Sequence, residues 1–180
     1  KNNLQIVSSL LALQGSRLTD PAARAEFEAA RDRVGALATL HRHLYLHAEP
    51  DAIDLGAFLH DLGGQLFAAV GETPGRRIAL EVAAPRLRLA SDRAVPLALV
   101  ITEAVAAALA QGFPPGRHGR IAIRVAAEAE AALVSVEDDG ALPRPDDPLR
   151  AMLMRGLARQ LGGALVAEPG RVRLRMPHAP

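Results

Sequence analysis

Residues 1–18 read KNNLQIVSSLLALQGSRL, and the spacing of their apolar side chains decides how the chain begins to fold. Leu4, Val7 and Leu11, with Ile6, Leu10 and Leu13, recur every three or four residues. That spacing makes a wide apolar face on one helix. Gly15 in "QGSRLTDP" is expected to end the helix in a left-handed conformation, and Asp20-Pro21 reads as an N-cap followed by Pro at the first helical position. A second helix is expected from about Pro21 to His47, with Ala23, Phe27, Ala30, Val34, Leu37, Leu40 and Leu44 on one face. At 1.5 Å per residue it is about 40 Å long. Two amphipathic helices joined by a short loop form an antiparallel hairpin. A lone hairpin leaves apolar surface uncovered, whereas two copies make a four-helix bundle. The pattern therefore predicts a homodimer, with Leu11 and Leu40 in its seam.

Beyond the hairpin, "AEPDAID" breaks the helix. Asp54 is expected to cap a third helix, Leu55 to Val70, that Gly71 ends. After "ETPGRR" the apolar period falls from 3.6 to 2: Ile78, Leu80 and Val82 alternate, followed by Leu87 and Leu89. Ser91-Asp92 begins a long helix through Gln111. Ile121, Ile123 and Val125 mark one strand, and Leu133, Val134 and Val136 the next, with a turn near Glu130. A helix from about Leu149 to Leu161 stops at Gly162-Gly163, and strands Ala164–Ala167 and Val172–Met176 flank the turn "EPG". Residues 51–180 thus read as an α/β sandwich, a mixed sheet with helices on one face. The fold class is α+β: a helical hairpin (1–50), then the sandwich (51–180).

Composition narrows the function. A formal charge of +1 over 180 residues gives no electrostatic case for a nucleic-acid partner. The chain has no Cys, so there is no disulfide framework or thiolate metal site, and a reducing, cytoplasmic setting fits. No apolar run reaches the roughly 18–20 residues that span a bilayer, and no signal peptide is evident.

Several stretches in this order resemble sensor histidine kinases, in particular the group whose dimerisation helix reads His-Arg-Val-Lys-Asn-Asn-Leu-Gln. Lys1-Asn2-Asn3-Leu4-Gln5 followed by "IVSSLLALQ" matches the latter part of that run. "LATLHRHLYL" (37–46) and "IDLGAFLHDL" (53–62) match the second hairpin helix and the entry to an ATPase-like domain. "RAVPLALVITEAVAAALAQGFP" (93–114) resembles the box that carries a metal-binding Asn. "VSVEDDG" (134–140) resembles the adenine-binding box, and "LARQLGGALVAEPGRVRLRMP" (157–177) the final helix and hairpin. The resemblance covers essentially the whole chain. It implies a phosphoacceptor His three residues before Lys1. Asn2 and Asn3 suit a site beside such a His, and they equally suit an ordinary helix start.

The same resemblance lets the ATP site be checked residue by residue. Glu103 matches the acidic residue of the long helix and is a candidate to take up the His proton. Four residues on, the metal-binding Asn is Ala107, which offers no oxygen to Mg²⁺. The Lys-His that often follows is Ala110-Gln111. Asp138 stands where the adenine-binding Asp belongs, and Asp139-Gly140 continues the motif. The second glycine is replaced in Gly140-Ala141-Leu142-Pro143. The glycine-rich turn, whose amides would receive phosphates, reads Pro148-Leu149-Arg150-Ala151, and Pro148 removes an amide outright. The segment from Gly140 to Leu149 is also short for a lid over a triphosphate. Asp138 and Asp139 equally fit a turn, and Glu103 equally fits a solvent-facing charge.

"LHRHLYLH" sets His43 and His47 four apart on a helix, with His41 nearby. That spacing binds Zn²⁺ only with a third ligand. No Glu or Cys supplies one, and His41 and Tyr45 also fit the resembled family's pattern, so no metal site is expected.

The expectation is a two-component signalling module: a histidine phosphotransfer protein, or a pseudokinase that docks a response regulator receiver domain. It uses no cofactor, and Asp138 and Gly140 are the remnant of an inactive ATP site. The alternatives are an active ATP-dependent kinase using Mg²⁺, and a structural dimerisation or relay module without phosphate chemistry.

Overall fold

The computed structural model describes residues 3–46, 52–70, 78–113, 116–140 and 147–177. Helices α1 (Asn3–Ser16) and α2 (Pro21–Leu46) form the hairpin. Asp20 caps α2 as expected, its two carboxylate oxygens accepting from Ala22 N and Ala23 N at 3.2 Å each. Gly15 departs from expectation. It is helical, and the positive-φ glycines among the described residues are Gly116, Gly162 and Gly170. A tightened turn closes α1 instead, with Arg17 N donating to Gln14 O and Leu18 N to Gly15 O. Gly15 serves packing: a Cβ there would lie 3.2 Å from Phe27 Cβ across the hairpin. The second helix ends at Leu46, and His47 lies outside the described residues.

Strand β1 (Ala52–Asp54) was not foreseen in "AEPDAID". It pairs antiparallel with β3 (Arg88–Ala90), setting Ile53 opposite Leu89, both buried. Helix α3 (Leu55–Val70) starts on the Asp54 cap, which accepts from Ala57 N at 3.1 Å. The main sheet runs β2 (Ile78–Ala83), β4 (Gly119–Ala127), β5 (Ala131–Asp138), β7 (Arg171–Pro177), β6 (Ala164–Glu168). The β2–β4 pair is parallel and the remaining pairs are antiparallel. Period-2 alternation sorts its two faces. One inner row carries Val82, Ile123, Val136 and Val172 in register, and the next carries Val125, Val134, Leu174 and Leu165. The outer face is an arginine–glutamate ladder, with Arg124 and Arg171 both on Glu137 and Arg173 on Glu168.

Helix α4 (Ser91–Ala107) lies at the centre, with α2 and α5 (Pro148–Gln160) packed against it. This explains its alanine content. Ala94, Ala98, Ala104 and Ala107 are buried along with Leu97, Val100, Ile101 and Val105, so small side chains let neighbours approach on several sides. The helix continues as a π turn, Ala108–Gly112. Arg93 near its start ties down the chain's end, donating to Leu161 O and Pro177 O. Helix α5 closes in a Schellman arrangement: Gly162 at φ +64 donates to Arg159 O, and Gly163 donates to Ala158 O.

The hairpin joins this core through α2. Ala36, Thr39 and Leu40 are buried, and Ala36 and Leu40 belong to the sandwich's apolar cluster. Leu40 is therefore spent within the chain and does not face a bundle seam. On α1, Ile6, Val7, Leu10 and Leu13 are 43–57% exposed and form the uncovered apolar stripe. The boundary expected between residues 50 and 51 falls outside the described residues.

Candidate functional site

The residues singled out from the sequence fall in two groups: Asp138–Gly140 at the end of β5, packed on the π turn that continues α4, and Glu103 on α4, reached by Arg150 at the start of α5. Asp138 ends β5. Its backbone N–H donates to Gly170 O, and its Oδ1 accepts from Gly140 N at 3.0 Å, an Asx turn. Asp139 is exposed and ties the turn to β4, its Oδ1 accepting from Arg120 N at 2.7 Å. Gly140 lies backbone against backbone on the π turn: a Cβ there would come 2.5 Å from Gly112 O. Only a glycine permits that approach. It seats the end of α4 directly on the Asp138–Gly140 turn.

Immediately before the π segment stands Ala107, 8% exposed, whose methyl group offers no ligand atom. The side chains of Ala110 and Gln111, and residues 141–146 with Ala141-Leu142-Pro143, lie outside the described residues. Helix α5 opens on Pro148 with Asp147 as its N-cap. Asp147 Oδ1 accepts from Arg150 N at 2.9 Å, and Asp147 O accepts from Ala151 N. The amides of Arg150 and Ala151 are thus taken up within the chain, and a carboxylate already lies on the positive end of the helix dipole. The sequence reading missed this cap, although Asp147-Pro148 repeats the Asp20-Pro21 pairing that was recognised at α2.

Glu103 is not a solvent-facing charge. It is 2% exposed, and each carboxylate oxygen takes an arginine from a different helix. Arg33 Nε of α2 donates to Oε1 at 2.5 Å, and Arg150 Nε of α5 donates to Oε2 at 3.3 Å. Arg33 stands thirteen residues before Leu46, about 20 Å along the helix axis. Glu103 therefore meets the middle of α2. Beside Arg33, burial pushes the Asp32 carboxyl above its ordinary value of 3.8; Arg31 acts to lower it, while Glu28 and Glu103 add to the rise. Neither arginine partner was identified from the sequence, because the contacts cross 70 and 47 residues.

His41 is exposed on α2, while the side chain of His43 and all of His47 lie outside the described residues. Among the described residues no three of His, Cys, Asp and Glu converge as a metal site. No helix among them is long and apolar enough to cross a membrane.

Residues 1–70 match a histidine kinase family model, HisKA_2. Over 96% of its length the chain is 30% identical to the sensor histidine kinase PdtaS of Mycobacterium tuberculosis H37Rv, and it spans 36% of that protein. The histidine kinase domain of the Erythrobacter litoralis EL346 blue-light activated histidine kinase shares the fold with a TM-score of 0.73 at 22% identity, covering 96% of this chain and 95% of that one. A histidine kinase from Burkholderia phymatum STM815 gives 0.56 at 14% identity, with 99% and 95% covered. The hairpin followed by the mixed sandwich is therefore the fold of histidine kinase domains, and residues 1–70 carry the match to the HisKA_2 histidine kinase model.

Proposed function

We propose that this two-component module works through its hairpin, as a histidine phosphotransfer protein or a pseudokinase that docks a response regulator, and that its ATPase-like sandwich is degenerate. The observation that carries this reading is the first turn of α5. Where phosphates need free amides, Pro148 has none and Asp147 occupies that of Arg150. Ala107 in place of a hard oxygen ligand for Mg²⁺ supports it further.

Phosphoryl transfer between a His and a regulator Asp needs placement and charge stabilisation more than a strong nucleophile. A helical hairpin can supply both without nucleotide. Its uncovered stripe of Ile6, Val7, Leu10 and Leu13 fits a homodimeric four-helix bundle. The test uses protein extended upstream of Lys1 and a phosphorylated receiver domain. The reading expects a His three residues before Lys1 that takes up phosphoryl, with loss of transfer on its replacement by Ala. No such His, or docking without transfer, would leave only the scaffold role.

A second reading, an active ATP-dependent sensor kinase, draws on the intact Asp138–Gly140 turn and on the likeness to PdtaS, named a sensor histidine kinase. It requires Mg²⁺ to be held by residues other than Ala107.

A further inference from the structure

We propose that Glu103 is the centre of an ionic latch that holds α2 of the hairpin against the sandwich, and that Arg33 is the half of the latch that lets go. The proposal stands apart from the phosphotransfer reading, since it concerns how the two parts of the chain are held together.

Glu103 is 2% exposed on a helix whose neighbouring positions, Val100, Ala104, Val105 and Ala107, are buried and apolar. A carboxylate in such surroundings persists only if it is paired. The pairing here is divided. Arg33 holds Oε1 from the hairpin side, and Arg150 holds Oε2 from α5. Arg33 is 31% exposed and Arg150 21%, so Arg33 has the readier path to water. Should Arg33 withdraw, Glu103 keeps Arg150 and is never left as an unpaired buried charge. A carboxylate with one partner would have no such intermediate.

The rest of the contact between α2 and the sandwich is mixed. Ala36 and Leu40 belong to the sandwich's buried apolar cluster, while the buried Thr39 hydroxyl donates to Gln65 of α3. Releasing α2 therefore exposes apolar surface as well as parting the ion pair, so the opened form is a minor population of the wild type.

The ion pairs also reach further. Arg150 Nη1 lies 3.6 Å from Asp147 Oδ2, so a continuous series of charges runs Arg33–Glu103–Arg150–Asp147. It links the middle of the hairpin to the capping residue of α5. A rearrangement at the start of α5 that draws Arg150 away would leave Glu103 dependent on Arg33 and tighten the docking. One that frees Asp147 from Arg150 would do the reverse.

The test exploits the absence of Cys. Glu26→Cys on the exposed start of α2 and Arg155→Cys on the exposed face of α5 carry nitroxide labels, and the doubly labelled chain is diluted into excess unlabelled protein so that only distances within one chain are read. Pulsed electron–electron resonance should give one narrow distance distribution. Arg33→Ala should add a second, longer population, Arg33→Lys a smaller one, and Arg31→Ala, which removes a partner of Asp32 but not of Glu103, none. Glu103→Gln repeats the test without leaving a buried charge, and is expected to broaden the distribution as Arg33→Ala does. An unchanged narrow distribution in folded Arg33→Ala or folded Glu103→Gln would overturn the latch. Loss of the fold in both would also overturn it, because the contact would then belong to the folding core.

Discussion

Asp32 is a charged residue set where charge is unwelcome. It stands on α2 beside Arg33 with its side chain 18% exposed. Burial is the largest influence on its carboxyl and raises its pKa above the ordinary 3.8. The folded protein therefore holds that proton more tightly than the unfolded chain does. The resulting stability is fully present below pH 3.8 and is lost as pH rises through the folded value, so at neutral pH the ionised carboxylate weighs against the fold. Asp32→Asn should raise Tm at pH 7, with the gain shrinking towards zero below about pH 4, where both states of the wild type are protonated. Thermal melts across that range check it. A wild type more stable than the variant at pH 7 would mean that the Arg31 contact outweighs burial. Glycine 140 is the second residue with a sharp expectation. A methyl group there meets Gly112 O at 2.5 Å, backbone that cannot swing aside, so Gly140→Ala should destabilise by about 1–3 kcal/mol, the usual cost of overpacking.

At the scale of elements, α5 depends on its cap. Asp147→Ala removes the acceptor for Arg150 N and should cost about 1 kcal/mol, read by denaturant midpoint; the same change takes a carboxylate off the helix's positive end. Most elements were legible because their apolar periods are clean. Ile78, Leu80 and Val82 announced β2, and Asp20-Pro21 announced the start of α2. What escaped has physical causes. Strand β1 is three residues long, too short to show an alternation. A glycine near a helix end usually marks a C-cap, but Phe27 across the hairpin claims Gly15 for packing. Glu103, Asp138 and Gly140 stand out in the sequence as candidates, and the residues they contact do not. Arg33 and Arg150 come to Glu103 from helices far away in sequence, and no local pattern marks such a meeting.

For the whole molecule, the exposed Ile6, Val7, Leu10 and Leu13 stripe gives the strongest expectation about assembly. Burying apolar surface gains roughly 25 cal/mol per Å², and four large side chains on one helix face are a natural seam for a second copy. Sedimentation at micromolar concentration should report a dimer, and Leu10→Asp should dissociate it by burying an unpaired carboxylate. Leu40, buried at 2% within the chain, should instead loosen the packing of α2 on the sandwich when replaced by Asp. A monomeric wild type would remove the bundle from the proposal.

The proposal that the sandwich is a degenerate ATPase meets its most direct test in calorimetric titration with ATP and Mg²⁺. Asp147 caps the first turn of α5, Pro148 supplies no amide there, and Ala107 supplies no metal ligand. Each missing polar contact costs about 1–3 kcal/mol, so two or three together weaken binding by orders of magnitude. The titration should show no saturable heat at micromolar to submillimolar ATP. A micromolar Kd that Asp138→Asn abolishes would contradict the account and establish the sandwich as a working nucleotide site.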